Sequence, residues 1–567
     1  MGPAGQLEFD RRDPYIWPVA DGLTERLNDQ LDGTYDCVDR IVLNGYNTLC
    51  HSPGGFRTWW RRLHDGDDST LDNAHLMRLA GRVARRVRAY GQANDIPVID
   101  CAKGERKHEI AEEYLRTHDV GVGLFMVLIA RASAPVWDVS HCTDGRIRDI
   151  KKKQSFVNHY SFHIMDPEWG HVTIKMSGHP PFGTQIILNG HDYVAAQARK
   201  EGIAFDKEGN CFTDTTNAHD LAIHADTLSR PEAIGRLIQV AERWIYTSAL
   251  CFALDSTERE QSHFVYSYSI YQIEYSRNLL FTVGGQMDNV FGGITERTRG
   301  ALDVERLKTI FGTKARPRRR KTKSSSPRLA AVIERPAYDL TIFKVHFGNL
   351  TLKAYTKGEH VLRFEAVCHN TADLRCGRVI ERFPEIVVRL KEMLERFLDV
   401  CDCIDASFIP DDTLDQLPVA AHVGKTRVGG IDINKERLRE ALDAAVALAP
   451  SPAGFTVADF TARVQSMTGK TDSEYSIRQG AYDLKKLRAK NLVMKIDKSH
   501  RYQVPLDAAR SITALLTLRD RVIKRILAGV RSPRQGRPPR HLTAVDRDYE
   551  KLRLDMQSLF EHLGIAA

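Results

Sequence analysis

The spacing of apolar and polar positions changes period several times along the chain, and the changes outline its elements. Residues 35–46, YDCVDRIVLNGY, read as a strand ending in the turn pair Asn44-Gly45. Over 71–90 leucine and valine recur at helical spacing, with Arg82, Arg85, Arg86 and Arg88 making one side basic. A strand over 96–101, a helix over 109–115 and an apolar strand over 120–129 follow, an order that predicts an α/β lobe with a crossover helix. The clearest hairpin spans 157–176. Tyr160, Phe162 and Ile164 alternate with His159, Ser161 and His163; Asp166 to Gly170 turn the chain; Val172, Ile174 and Met176 then alternate with His171, Thr173 and Lys175. That loop pairs Met165 with His171 and His163 with Thr173, so one face is apolar and the other carries three histidines and a lysine. A strand and a helix follow, then a helix over 230–254, an aromatic cluster over 264–283 and a helix from 287 into 310.

The run KARPRRRKTKSSSPR over 314–328 breaks this pattern. It has too little apolar surface to offset its ordering entropy, so it is expected to be an exposed tether dividing the chain into two bodies. Beyond it, 340–369 reads as a three-stranded meander, with a loop at Lys357-Gly358-Glu359 that pairs Leu352 with Phe364 and sets Lys353 opposite Arg363, with Tyr355 and Glu365 on the same face. An amphipathic helix over 384–400 covers this sheet. Three further helices are expected over 435–448, from Thr456 with Asp459 as a near-capping box, and over 473–490, where Ile477, Ala481, Leu484 and Leu487 form the apolar set. Two short strands over 492–496 and 501–504 follow, then helices over 506–528 and 544–563.

Hydrophobic content of 42% and charged content of 27% in 567 residues exclude a fibrous or disordered chain and suit several globular domains. The net charge of +8 is moderate, so a basic surface must be local: Arg318, Arg319, Arg320 and Lys321 in the tether, and Arg534, Arg537 and Arg540 in a proline-rich arm near the end. Ten cysteines without a CxxC pair point to reduced thiols in a cytoplasm. No signal peptide is expected, and no apolar run approaches the roughly 20 residues that span a bilayer, so no membrane partner is expected.

Residues 434–528 resemble the winged helix-turn-helix family, including regulators of the MarR type. That resemblance implies that the third helix enters the major groove through Ser476, Arg478, Gln479, Tyr482, Lys485 and Lys486, and that Lys498, His500 and Arg501 contact DNA from the strand tip. The expected class is therefore an α+β multidomain protein: a mixed α/β body with a His-rich hairpin over 1–312, a basic tether over 313–329, an antiparallel sheet plus helix over 330–430, a winged helix over 431–530, and a basic arm with a C-terminal helix over 531–567. The HPPF, LNGH and EYSRN segments ahead of the winged helix also resemble a set of large bacterial proteins, a likeness that implies no activity.

Three constellations bear on chemistry. His159, His163 and His171 near Asp166 are the residue mix that binds a transition metal or moves protons. Tyr271 and Tyr275, read as one side of a helix, are similar in order to the paired tyrosines of HUH nucleases. The run LKAYTKGEHVLRFE is similar to a strand pair of plasmid rolling-circle initiators. That similarity implies Tyr355 as nucleophile, with Lys353 and Arg363 close by and Glu365 holding Mg²⁺ or Mn²⁺. The expected function is nucleic-acid binding, with DNA as partner and a plasmid or mobile-element origin. A nicking or strand-transfer activity of replication-initiator or transposase-like kind is one version. A non-catalytic regulator or origin binder that dimerises, and a binder of structured RNA, are the alternatives. A nucleoid-associated place in the cytoplasm follows from that reading.

Overall fold

The computed structural model describes residues 21–102, 104–301, 310–311, 329–335, 342–347, 350–405, 413–424, 426–451, 454–496, 499–517, 519, 547–548, 550–552 and 554–555. The candidate contacts Arg318, Arg319, Arg320, Lys321, Lys498, Arg534, Arg537 and Arg540 lie outside the described residues.

Alternating runs in the first half build strands β1 (Leu31–Tyr46), β2 (Val98–Asp100), β3 (Gly123–His141), β4 (Ile147–Asp166), β5 (Gly170–Ser177) and β6 (Thr184–Asn189). A small separate hairpin, β7 (Phe205–Lys207) and β8 (Phe212–Thr215), follows, then β9 (Ser267–Phe281). The later strands are β10 (Ile310–Phe311), β11 (Leu329–Arg335), β12 (Ile342–Phe347), β13 (Leu350–Lys357) and β14 (Val361–Cys368). All but β7 and β8 join one 12-stranded sheet in the order β10-β11-β12-β13-β14-β9-β1-β6-β5-β4-β3-β2.

The meander therefore does not make a second body. β14 pairs antiparallel with β9 from Val361↔Leu280 to Cys368↔Ile273, so strands from both sides of the basic segment share one ladder. The expected β-α-β lobe is present: β2 and β3 are parallel, joined through helix α2 (Lys107–Thr117), after the long helix α1 (Asn73–Ala93). The histidine hairpin keeps its expected register, Met165↔His171 and His163↔Thr173. In the meander the loop begins one residue later, at Gly358, whose φ of +56° suits glycine. The pairing thus becomes Lys353↔Glu365 and Tyr355↔Arg363. A slip of two residues preserves side-chain parity, so all four stay on the expected face.

One face of the sheet is apolar. Tyr160, Phe162, Ile164, Val172, Ile174, Met176, Ile186 and Leu188 are buried in a single core shared with α1 and with helices α3 (Gly190–Lys200), α4 (Ala233–Ser248) and α5 (Phe383–Asp405). The other face is polar and only locally covered. There α2 makes a small core of its own, with Ala111 against Phe125, Met126 and Leu128.

The last described part is helical with a separate core: α6 (Glu436–Leu448), α7 (Val457–Thr468), α8 (Ile477–Ala489), a two-stranded hairpin Met494–Lys495 with Tyr502–Gln503, and α9 (Leu506–Thr517). Thr456 with Asp459, and Ser476 with Gln479, close reciprocal capping boxes on α7 and α8. Helices α7 and α8 approach closely because Gly480 lacks a side chain; a Cβ there would stand 2.2 Å from Thr461 Oγ1. Arg396 on α5 donates to the Ser451 carbonyl at 3.1 Å, and Arg510 on α9 stands 3.6 Å from Asp402, tying this part to α5.

Candidate nucleic-acid interface and the buried network of the sheet

Strand register sets Tyr355, Arg363 and Asn278 in one row across β13, β14 and β9, and Lys353, Glu365 and Ser276 in the next. Glu365 accepts from Lys353 Nζ and from the Tyr355 hydroxyl, both at 2.9 Å. Arg363 is fully buried; it donates to Asp39 at 2.5 Å, to Asn278 Oδ1 at 3.0 Å and to the Asn210 carbonyl beside β8 at 2.6 Å. Asp39 also takes a hydrogen bond from Ser276 Oγ at 3.0 Å and lies 2.9 Å from His191 Nδ1 at the start of α3. At Glu365 burial would raise the pKa, but Lys353 and Arg363 outweigh it and hold the carboxylate well below its usual range. Burial, then the Glu365 charge, push neighbouring Glu274 up to about 7. The pair thus divides into one ionised and one readily protonated carboxyl.

The structure places Lys353, Tyr355, Arg363 and Glu365 of the LKAYTKGEHVLRFE run together. It does not leave a cation site among them. Both Glu365 oxygens are taken, and the Lys353 ammonium occupies the place a divalent ion would need. Tyr355 is 8% exposed, and burial raises its pKa well above the phenol range. Among the described residues Cys37, Asp39 and His191 also offer ligand atoms within 4.8 Å of one another. There too the positive partner is already present, because the Arg363 guanidinium sits on Asp39. Mg²⁺ or Mn²⁺ therefore does not fit this network as it stands.

The other constellations separate. His163 Nδ1 and His171 Nε2 are 2.9 Å apart beside Thr173, under the ring of Phe125. His159 shares their face but lies four residues from His163 along β4, and Asp166 is on the opposite face. Its carboxylate accepts from the backbone of Glu168 and Trp169 and from Arg243 and Trp244 on α4, so it caps the turn and anchors a helix rather than completing a metal site. The 267–281 segment is a strand, not a helix, and a register shift between Val42/Leu43 leaves Tyr271 without a partner on β1. Tyr271 is consequently 36% exposed, while Tyr275 is buried with its hydroxyl on Asp36 at 2.9 Å. The two hydroxyls do not share a site. Tyr275 instead belongs to a second buried network on the apolar side, where Arg277 bonds Asp36 and Asp21 beneath α5.

Burial, aided by His171, Lys175 and Lys107, drives the His163 pKa from 6.5 down to about 3. The unfolded chain then binds a proton that the folded one refuses, so this site weakens the fold progressively as pH falls from 6.5 toward 3. We expect the wild type to lose more stability between about pH 7 and about pH 5 than His163→Gln does, read from urea midpoints. Equal losses would show that His163 is not the responsible group.

In the C-terminal part the structure orients α8 differently from expectation. Asp483 faces inward, bonded to Arg437 at 2.9 and 3.0 Å and to the Tyr475 hydroxyl at 2.9 Å. Turning Asp483 in turns Ile477 and Ala481 out. Ile477 is 58% and Tyr482 48% exposed, in line with exposed Arg478 and half-buried Lys485. Of the other candidates, Ser476 and Gln479 spend their side chains on the capping box. Lys486 lies over the Tyr482 ring and donates to the Gly430 carbonyl, while Arg501 donates to Gly454. His500 is exposed at the hairpin tip.

Comparison with known proteins returns no match: no family model, curated protein or solved structure is similar to this chain.

Proposed function

We propose that the chain is a DNA-binding protein whose α6, α7, α8 and following hairpin act as a winged helix, with α8 entering the major groove. The observation that carries this reading is the outward face of α8. Ile477, Arg478, Ala481, Tyr482 and Lys485 line one side while the helix's only acidic residue, Asp483, is paired inside. A basic and partly apolar ridge on a helix capped at its N-terminus suits phosphates, base edges and thymine methyl groups together. The large sheet serves as the rigid body that carries this helix. The test is a mobility-shift titration of the full chain against duplex DNA and folded RNA at matched salt. Duplex binding that weakens steeply with salt is expected; preference for folded RNA would overturn the DNA assignment.

A second reading rests on the Tyr355 hydroxyl, which donates to Glu365. In it the Tyr355 oxygen attacks a DNA phosphate while its proton passes to Glu365, and Glu365 returns that proton to the displaced strand oxygen, which leaves as an alcohol, so that a phosphotyrosine bond replaces a phosphodiester bond. It stands second because Glu365, held ionised by two cations, is a weak base for so buried a phenol. This reading requires protein-linked DNA on a denaturing gel, lost in Tyr355→Phe; a wild type that yields no adduct, with or without Mn²⁺, removes it.

A further inference from the structure

The polar face of the sheet holds an open cavity of about 800 Å³ between β1, β6, β5, β4 and β3, within the range of small-molecule sites. Lys107, Lys175, His51, His159 and Arg378 line it, and no aspartate or glutamate does. Lys107 and Lys175 are the telling pair. Both are half-buried, and among the described residues neither has a carboxylate partner; Lys107 donates to Ser161 Oγ at 3.5 Å. Burial lowers the pKa of each, and Arg40 and Lys107 lower that of Lys175 further by repulsion. Elsewhere the sheet neutralises its buried cations with care, as Arg363 with Asp39 and Lys353 with Glu365. Two desolvated, mutually repelling amines facing one cavity have a physical use if an anion lies between them.

The remaining walls say what the anion belongs to. Asn44 and Gln185 face each other across β1 and β6, and Gln185 Nε2 donates to Asn44 Oδ1 at 3.1 Å. That bond leaves Asn44 Nδ2 as a donor and Gln185 Oε1 as an acceptor, without a partner among the described residues. Such a pair matches the edge of a heterocyclic base. Tyr46 and His51, packed edge to face with centroids 5.0 Å apart, add an aromatic wall.

We propose that this cavity binds a phosphorylated nucleoside, with Lys107 and Lys175 on the phosphate and the Asn44–Gln185 pair on the base. The occupant is either a free nucleotide or one unit of a nucleic-acid strand. The site is independent of the assignment of α8, and the two fail separately.

The test is calorimetric titration of the full chain with nucleoside 5′-monophosphates, the same nucleosides without phosphate, inorganic phosphate, and thymidine oligonucleotides of increasing length. Nucleotide binding is expected to weaken about tenfold or more in each of Lys107→Gln and Lys175→Gln, since each removes one charge-assisted contact. Because neither lysine has an ion pair among the described residues, the variants should melt as the wild type does, which separates loss of binding from loss of fold. Gln185→Ala should reduce the preference for nucleotide over inorganic phosphate while leaving the cations in place. Affinity that grows with oligonucleotide length identifies a strand as occupant; affinity independent of length identifies a free nucleotide. The proposal is overturned if nucleotides fail to bind at millimolar concentration, if Lys107→Gln and Lys175→Gln both bind them as the wild type does, or if inorganic phosphate binds as tightly as the nucleotide.

Discussion

Replacing Arg363 with methionine is expected to lower the unfolding free energy by about 3–5 kcal/mol, the largest effect we anticipate for a single side chain. The guanidinium is fully buried and is the strongest positive partner of Asp39, itself without exposure. It also holds Asn278 Oδ1 and the Asn210 carbonyl, so its loss strips a donor from three acceptors and loosens the β7–β8 cover over β1. Most of the expected loss comes from the charge left behind, not from the ion pair's net worth. A double-mutant cycle decides this. Asp39→Asn added to Arg363→Met should recover a substantial part of the stability, because the stranded carboxylate is gone while the contacts from Ser276 Oγ and His191 Nδ1 retain an acceptor. Equilibrium urea unfolding of the wild type, both single variants and the double variant reads the coupling directly. If the double variant is no more stable than Arg363→Met, the stranded charge is not the cause, and loss of the guanidinium from over the Tyr355 ring takes its place.

This network also marks where sequence patterns stop carrying information. Local devices were legible: the β4–β5 register follows from alternation and loop length, the parallel pair around α2 from element order, and the α7 cap from Thr456 and Asp459. These depend on residues close in the chain. The pairing of β1 with β9, and of β9 with β14, joins segments that alternation alone cannot match, since any half-buried strand offers the same signal. The basic segment over 314–328 therefore looked like a border between bodies although the sheet runs across it. The register shift at Val42/Leu43 had a similar effect: it turns Tyr271 outward and breaks the period of two between Ile270 and Ile273, so a segment with tyrosines four apart reads as a helix. Asp39 and His191 had one visible trace. Asp39-Arg40 is a charged pair within the apolar run VDRIVL, a pattern that a strand buried on both sides tolerates only when its charges find partners. In α8 the helical stripe itself was ambiguous. Taking Ile477 and Ala481 as core made Asp483 an outward residue, and only the Arg437 and Tyr475 partners, brought in from α6 and the preceding loop, reverse the choice.

That reversal matters for the second large effect. Arg478→Ala with Lys485→Ala is expected to weaken duplex binding by roughly a hundredfold, from about 1–3 kcal/mol for each lost contact, and to reduce the salt slope by about two. These two side chains are the clean ones to remove. Both lie on the outer side of α8 and have no hydrogen bond or ion pair within the described residues, so their loss should leave the melting temperature near that of the wild type. Arg437 would be a poor choice despite its charge. Its guanidinium neutralises buried Asp483, and Arg437→Ala would disturb the α6–α8 packing before any effect on DNA could be read. Tyr482 offers an internal check, because it is exposed beside Lys486 and would contact bases or sugars rather than phosphates. Tyr482→Ala should therefore alter the preference among duplex sequences while leaving the salt slope unchanged, whereas the double basic variant should weaken all duplexes together. Mobility-shift titrations at several salt concentrations separate the two behaviours. Wild-type affinity in the double variant would mean that α8 is not the helix that meets DNA, and would leave the polar face of the sheet as the surface to examine.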